Sequence, residues 1–225
     1  MAALTLPVPP AAVLLDLDGT LCDSADGIIA HLAMALEAVG LPIPDPAALR
    51  ACVGPSWEQG LPHIGVSAEA MPAVRAAYRL TYDDAAPSLA VPFPGMLDAL
   101  AELTDAGVAL AVATSKPEYL AARIVAEGPL ATVVDVVVGW DPDAGRYTKA
   151  DSVRGALERL GPDLDPATAA MVGDRHHDVT GAAAHGVATV GVAWGCAEPG
   201  ELEDAGAAAV VATPADLVAL LLDRG

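Results

Sequence analysis

The sequence predicts an α/β fold, a parallel sheet covered on both faces by helices, with a small helical domain inserted after the first strand. Two observations predict the sheet: short runs rich in Val and Leu alternate with segments of helical period, and these runs lack the strict polar alternation of half-exposed strands. A third predicts the insertion, because residues 23–84 contain no convincing strand.

Five apolar runs are the strand candidates, and five helical segments follow or separate them. This order is typical of a doubly wound, Rossmann-like sheet. The strand candidates are Ala12 to Leu17, Val108 to Ala113, Val133 to Val138, Ala169 to Val172 and Val187 to Val192, and the helix candidates are Gly95 to Ala106, Pro117 to Glu127, Lys149 to Leu160, Asp178 to His185 and Pro214 to Leu222.

Helical spacing marks two long helices in the insertion. The first carries Ile28, Leu32, Leu36 and Val39, and the second carries Met71, Val74, Tyr78 and Thr81. We therefore expect residues 1–21 and 90–225 to form the core and residues 22–89 to form a helical cap. The expected connections are Leu21 to Ala25 and the proline-rich Ala85 to Pro94, which we expect to be a stiff linker.

Composition excludes several classes of function. The 225 residues carry a net charge of −19, which disfavours nucleic-acid binding and a polybasic membrane anchor. No stretch approaches the roughly 20 apolar residues of a membrane span, and the apolar start lacks a basic region, so we expect neither an export signal nor an anchor. The cysteines Cys22, Cys52 and Cys196 lack the spacing of a metal or redox site. We expect a reduced, cytoplasmic chain, by default a monomer.

Two carboxylates follow the first strand candidate directly. Asp16 and Asp18 lie two residues apart where open α/β sheets place their ligands. Two acids at this place repel each other unless a cation or a shared proton compensates, which points to a metal site or an acid and base pair. An ordinary capped turn is the alternative, since Asp and Gly are common turn residues.

Further polar residues follow the other strand candidates. Thr114 and Ser115 follow the second, Lys149 follows the third, and Asp174 and Asp178 follow the fourth. Each alone is ordinary as a helix cap or a solvated loop residue. Because the carboxyl ends of parallel strands meet at one edge of the sheet, their convergence favours a site for a phosphate group.

The four motifs resemble those of the haloacid dehalogenase-like superfamily, and within it the small phosphatases of the phosphoglycolate phosphatase type. They are Asp16-Leu17-Asp18-Gly19-Thr20, the strand-ending Thr114, Lys149, and Gly173-Asp174-Arg175-His176-His177-Asp178, in the order of that superfamily. The resemblance spans Ala12 to about Gly195, and the helical insertion lies where these phosphatases carry a cap.

This resemblance implies a Mg²⁺-dependent phosphatase that acts through an aspartyl phosphate. Asp16 is then the nucleophile, and Asp18 is the general acid and base. The implied Mg²⁺ ligands are the carboxylates of Asp16 and Asp174 and the backbone carbonyl of Asp18. The supporting residues are Asp178, which orients a metal-bound water or the lysine, and the motif glycines Gly19 and Gly173; the phosphate-binding residues are Thr114, Ser115, Lys116 and Lys149.

Several residues keep two interpretations. Lys116 is either a phosphate ligand or a surface residue. Arg175 is expected to be a loop or surface ion-pair residue rather than a substrate clamp, and His176 and His177 are expected to lie in a polar loop rather than to act as metal ligands or proton relays. The loop Gly54 to Trp57 points toward the site in related phosphatases, but Gly-Pro is also a plain helix stop. Trp57 either stacks on a base or a sugar or packs between cap helices, and packing is the more frequent use of a tryptophan.

Other reactions of this superfamily require different residues. A dehalogenase has no use for Asp18 or for the metal pair, and a phosphonatase needs a lysine in the cap, where neither Lys116 nor Lys149 lies. A sugar phosphomutase and a non-catalytic phosphate-binding regulatory module stay as alternatives. The expected partner is a small-molecule phosphate ester, either phosphoglycolate, a nucleoside monophosphate or pyrophosphate, among which the sequence does not choose.

Overall fold

Residues 4–223 are described by a computed structural model. Eight strands and ten α-helices span this part of the chain. The strands are β1 (Ala12–Leu15), β2 (Cys22–Asp23), β3 (Val91–Pro92), β4 (Ala109–Pro117), β5 (Val136–Trp140), β6 (Ala169–Gly173), β7 (Ala188–Val192) and β8 (Ala209–Val211). The helices are α1 (Ala25–Ala38), α2 (Pro46–Arg50), α3 (Trp57–Gly60), α4 (Met71–Leu89), α5 (Met96–Asp105), α6 (Glu118–Glu127), α7 (Lys149–Leu160), α8 (His176–Ala183), α9 (Glu201–Ala205) and α10 (Pro214–Leu221).

Six strands form one parallel sheet in the order β5-β4-β1-β6-β7-β8. Alternate residues of β1 face opposite layers: Val13 and Leu15 belong to one hydrophobic cluster, and Leu14 belongs to the other. Both faces of the sheet are therefore covered, as the unbroken apolar runs predict. The predicted doubly wound α/β fold is confirmed.

Helices α1 to α4 lie between β2 and β3, and these two short strands pair with each other antiparallel. The chain thus leaves the core and returns to it through one two-stranded ribbon, in which Cys22 faces Pro92 and Asp23 faces Val91. The division into a core and a cap of residues 22–89 stays a proposal, and "cap" below denotes those residues.

The expectation of a stiff linker from Ala85 to Pro94 is wrong for its first half. Helix α4 continues through Pro87 to Leu89. Proline has no N–H to donate to the carbonyl four residues earlier, that of Asp83. The guanidinium of Arg123 on α6 donates to this carbonyl instead, at 3.0 Å. A contact from another helix therefore satisfies the group that the proline leaves free, which local sequence rules do not reveal.

Strand β8 was not predicted, because three residues are too short to display a period. Within residues 4–223, no helix combines the length and the apolar character needed to cross a membrane.

Candidate active site

The carboxyl ends of β1, β4 and β6 meet at one edge of the sheet and bring the predicted residues together. Asp16 follows β1, while Asp174 and Asp178 follow β6 at the start of α8. All three carboxylates are buried, with 2%, 1% and 1% of their residue surface exposed. One oxygen atom from each carboxylate lies within 4.8 Å of one from each of the others. Three acids are thus held together out of contact with water.

Such a cluster needs positive charge. Burial raises the pKa of Asp16 and of Asp174 above the ordinary range, and the neighbouring carboxylate of Asp178 raises both further. A hard divalent cation with oxygen ligands would offset this repulsion. The donor set of buried carboxylate oxygens therefore fits Mg²⁺, and Asp16 and Asp174 are the residues that would hold it.

Lys149 supplies one positive charge. Its Nζ lies 2.8 Å from Oδ1 of Asp16 and 2.8 Å from Oδ1 of Asp178, as ion pairs rather than aligned hydrogen bonds. It also donates a hydrogen bond to the carbonyl of Ala113 at 3.1 Å. Burial lowers the pKa of this lysine, but the two carboxylates outweigh it and the net pKa is raised. The side chain is therefore a fixed cation beside Asp16.

The local sequence sets where Lys149 begins its helix. Thr148 is the N-cap of α7: its hydroxyl accepts from the backbone N–H of Asp151, and the Asp151 carboxylate accepts from the N–H of Thr148. This reciprocal capping box fixes the first turn. The predicted helix Lys149 to Leu160 is confirmed residue by residue.

Asp174 is oriented by neighbours that sequence reasoning did not single out. Its Oδ1 accepts from the Thr20 hydroxyl at 3.0 Å, and its Oδ2 accepts from the backbone N–H of Cys196 at 2.7 Å. The glycines of the two acidic motifs make room for these carboxylates: a Cβ on Gly19 would lie 2.3 Å from Oδ2 of Asp174, and one on Gly173 would lie 2.3 Å from Cβ of Asp178.

Replacing Gly19 by Ala is expected to lower kcat/KM by roughly 10- to 100-fold, because the new methyl group displaces the Asp174 carboxylate. The dependence of the rate on Mg²⁺ concentration measures the effect, and half-saturation should move to higher Mg²⁺. Gly19 has φ +82°, so a matched control is Gly107→Ala, where φ is +83° but no atom lies within 4 Å of the added Cβ. Equal losses in both variants would contradict this account, since backbone strain alone would explain them.

The second motif lies on an irregular part of β4. The strand was expected to end at Ala113, but it runs to Pro117, with a register shift between Ala113 and Pro117 against β5. This shift presents three consecutive residues at the site. Thr114, Ser115 and Lys116 all line the same cavity as Asp16, and the N–H of Lys116 donates to the Thr114 hydroxyl at 3.2 Å.

Lys116 is a buried site residue and not a surface residue. Its Nζ lies 2.6 Å from Oδ2 of Asp18 and donates to the Tyr82 hydroxyl at 3.2 Å. The other oxygen of Asp18 accepts from the Ser24 hydroxyl at 2.5 Å. Burial lowers the pKa of Lys116, yet the charge of Asp18 outweighs it and the pKa is raised. Asp18 is thus held by a protonated lysine, and its side chain lies outside the three-carboxylate cluster.

Arg175 forms an ion pair, as expected, but its side chain is buried rather than at the surface. It is 8% exposed, donates to the backbone carbonyl of Val53 in the cap at 2.6 Å, and pairs with Glu201 at 2.9 Å. His176 pairs with the same Glu201 oxygen through Nδ1 at 2.7 Å, and its ring is tilted by 41° against that of His177, with centroids 3.8 Å apart. The arginine of the last motif therefore connects the core to the loop that precedes Trp57.

Glu201 holds this connection, and replacing it by Gln is expected to cost about 1 to 2 kcal/mol of unfolding free energy at pH 7. Burial would raise its pKa, but hydrogen bonds from the N–H groups of His176 and Glu198 and from the two side chains lower it to about 2. A carboxylate whose pKa is lowered on folding stabilises the fold at pH values above its unfolded pKa, which is near 4.5. This stabilisation is lost as the pH falls toward 2.

Urea denaturation at pH 7 and at pH 3 measures this difference, and the exposed Glu203→Gln is the control. The deficit of Glu201→Gln should shrink at the lower pH. A deficit that is the same at both values would mean that the ionised carboxylate has no special role.

One cavity extends from the carboxylates to the cap. Its floor is formed by core residues that include Asp16, Asp18 and Thr114, and its opposite wall by cap residues that include the loop Gly54 to Trp57 and one face of α4. The loop therefore borders the same space as the predicted nucleophile, as its place in the sequence suggested.

Comparison with known proteins identifies relatives of this chain. A family model described as haloacid dehalogenase-like hydrolase matches residues 13–192. The phosphoglycolate phosphatase of Cupriavidus necator is 32% identical over 222 residues, covering 96% of this chain and 95% of that protein. A crystal structure of a predicted phosphatase from Clostridium acetobutylicum superimposes with a TM-score of 0.88 at 31% identity, covering 97% of this chain and all of that one.

A relative with a different name is more similar in sequence. The tyrosine-protein kinase PtkA of Mycobacterium tuberculosis is 42% identical over 186 residues, covering 83% of this chain. The match spans 63% of the length of that relative, so the chain corresponds to less than two thirds of it. The family match covers more than half of the chain. The chain belongs to the haloacid dehalogenase-like hydrolase family.

Proposed function

We propose that the protein is a phosphatase that hydrolyses a small organic phosphate monoester, with Asp16 as nucleophile. One observation carries this proposal: the Asp16 carboxylate is buried at the floor of the cavity, 2.8 Å from the ammonium of Lys149 and within 4.8 Å of two further carboxylates. A carboxylate that borders a cavity beside a fixed cation is suited to attack a phosphorus atom whose oxygens that cation binds.

The reaction proceeds in two steps. In the first, an oxygen of Asp16 attacks phosphorus, the bond from phosphorus to the leaving oxygen breaks, and Asp18 gives its proton to that oxygen. In the second, water attacks the aspartyl phosphate, Asp18 takes the proton of the water, and phosphate leaves with Asp16 restored as a carboxylate. Thr114 and Lys149 hold the oxygens of the phosphoryl group in both steps.

Mg²⁺ would supply charge neutralisation between Asp16 and the anionic phosphoryl group. Asp16, Asp174 and the carbonyl of Asp18 would hold it. Asp178 accepts from the backbone N–H of Arg175 through one oxygen and pairs with Lys149 through the other, which supports an orienting role for this residue.

The ion pair between Lys116 and Asp18 must open before Asp18 carries a proton to the leaving oxygen. The substrate phosphate offers Lys116 another anion, and the lysine lies in the same cavity. We therefore assign Lys116 to the side of the leaving group, where it releases Asp18 when substrate enters.

A second candidate is transfer of a phosphoryl group to a tyrosine, favoured by the 42% identity with a protein named tyrosine-protein kinase. Both reactions need an activated carboxylate and a bound phosphoryl group, so the site itself does not separate them. A sugar phosphomutase stays a third alternative, which requires that water be kept from the aspartyl phosphate.

A panel assay tests these functions. The protein is incubated with phosphoglycolate, nucleoside monophosphates, sugar phosphates and pyrophosphate, with Mg²⁺ or with excess chelator, and free phosphate is measured. The proposal expects release that depends on Mg²⁺. Phosphate transfer from ATP to a tyrosine peptide without release from any ester would instead favour the kinase. Conversion of one sugar phosphate into its isomer would favour the mutase.

The cellular location and the oligomeric state stay as proposals. We propose a cytoplasmic location, supported by three cysteines that all occur as free thiols in the described structure, and by default a monomer.

A further inference from the structure

The aromatic residues of this chain are concentrated at one place. The sequence has eight of them, three Trp, four Tyr and one Phe. Five line the cavity above Asp16: Trp57, Tyr78, Tyr82, Tyr119 and Trp140. A chain with 4% aromatic residues has thus placed most of them around its candidate active site.

Two of these five aromatic residues, Tyr78 and Tyr82, lie on the side of the cavity near Asp18. The rings of Tyr78 and Tyr82 lie with centroids 4.6 Å apart, and Tyr82 also carries the ammonium of Lys116 over its face at 5.1 Å. Lys116 in turn pairs with Asp18. Aromatic rings therefore lie next to Asp18, the residue proposed to protonate the leaving oxygen.

Two others, Trp57 and Trp140, lie farther out, toward the mouth of the cavity. Trp57 meets Tyr78 edge to face at 4.9 Å, and the guanidinium of Arg75 lies between Trp57 at 5.6 Å and Trp140 at 5.0 Å. Both tryptophans are only partly buried. Their remaining surface, together with the planar guanidinium, is available to a ligand.

The charges of the cavity argue against a leaving group with a second anionic group. Three cationic side chains line it, and each already pairs with a carboxylate: Arg75 with Glu58 at 2.6 Å, Arg79 with Asp83 at 3.3 Å, and Lys116 with Asp18 at 2.6 Å. If Lys116 turns to the substrate phosphate, no uncommitted cation among these lining residues is left for a carboxylate such as that of glycolate.

We infer that the preferred substrate is a phosphate ester whose leaving group carries a flat ring, stacked on the wall that Trp57, Arg75 and Trp140 form. This inference rests on the proposed phosphatase function and names its substrate class. A nucleoside and a small aryl group share the required chemistry, since both present a π face to the tryptophans and the guanidinium.

Substrate selectivity tests the inference. kcat/KM is compared for adenosine 5′-monophosphate, phenyl phosphate, phosphoglycolate and glycerol 3-phosphate. A ring should raise kcat/KM roughly tenfold or more over the two aliphatic esters. Preference for the nucleotide over phenyl phosphate identifies a nucleoside site, and the reverse identifies an aryl site; both support the inference. Equal or higher values for the aliphatic esters overturn it.

Variants of the wall show whether stacking causes the preference. Trp57→Leu should reduce the ratio of ring-bearing to aliphatic kcat/KM, and Trp57→Phe should restore most of it. The matched control is Tyr147→Leu, which removes an exposed aromatic side chain outside the cavity. A ratio that is unchanged in Trp57→Leu overturns the inference.

A binding measurement separates this inference from the proposed function. The variant Asp16→Asn is titrated with adenosine 5′-monophosphate, phenyl phosphate and phosphoglycolate by calorimetry, which requires no turnover. If the unaltered protein releases no phosphate from any of these esters, the phosphatase proposal is contradicted. Tighter binding of either ring-bearing ester would still support the ring site, and tighter or equal binding of phosphoglycolate would overturn it.

Discussion

Asp16→Asn is expected to fold, to bind substrate and to release phosphate about 10⁴-fold more slowly than the unaltered protein. An amide has the size of the carboxylate but lacks the charge and the nucleophilic oxygen. It also removes one of three buried acids that repel one another, so the free energy of unfolding should not fall. The variant therefore separates chemistry from stability.

Phosphate release with Mg²⁺ and thermal unfolding are measured on the same preparations. Asp163→Asn is the matched control, because Asp163 is an exposed aspartate outside the cavity. The control should keep both its rate and its melting temperature. A rate in Asp16→Asn within tenfold of the unaltered protein would contradict the role of this carboxylate.

Lys149→Met is expected to reduce kcat/KM by about 10³-fold and to destabilise the fold by about 3 kcal/mol. The ammonium is buried between Asp16 and Asp178, and its removal leaves their charges uncompensated. Methionine keeps most of the side-chain volume, so the packing of the stem against Gly181 is retained and the lost charge is isolated.

The pH dependence of this variant has a definite sign. Lys149 lowers the pKa of Asp16, so its removal raises that pKa further above the unfolded value. A raised pKa makes a group favour the fold at low pH and disfavour it as the pH rises. The stability deficit of Lys149→Met should therefore be largest near neutral pH and should shrink on acidification.

A second substitution provides the control for Lys149→Met. Adding Asp178→Asn removes one of the uncompensated charges and should recover part of the lost stability without restoring activity. A loss of stability in Lys149→Met that does not depend on pH would contradict an electrostatic role for this lysine. The same holds if the double variant loses more stability than the two single variants lose together.

The core was predictable because its signals are local. Buried parallel strands read as continuous apolar runs, and the capping box at Thr148 and Asp151 fixes the start of α7, so the sheet and this helix follow from neighbouring residues. The convergence of Asp16, Asp174 and Lys149 follows from the same topology, since parallel strands end at one edge.

What escaped prediction depends on contacts between distant segments. Pro87 reads as a helix stop, but Arg123 on another helix satisfies the carbonyl that it leaves free. The ion pair of Arg175 was expected, but its burial against Val53 of the cap was not. The pairing of Lys116 with Asp18 spans 98 positions. No local pattern encodes such contacts.

The central claim is that catalysis passes through a phosphoryl group bound to Asp16. Its most direct test is rapid acid quenching of the protein with a labelled substrate and Mg²⁺, followed by peptide mass spectrometry. We expect a phosphorylated peptide that contains Asp16, stable in acid and released by hydroxylamine, as an acyl phosphate is. Rapid turnover with no label on the protein, or with label on another residue, would contradict the claim.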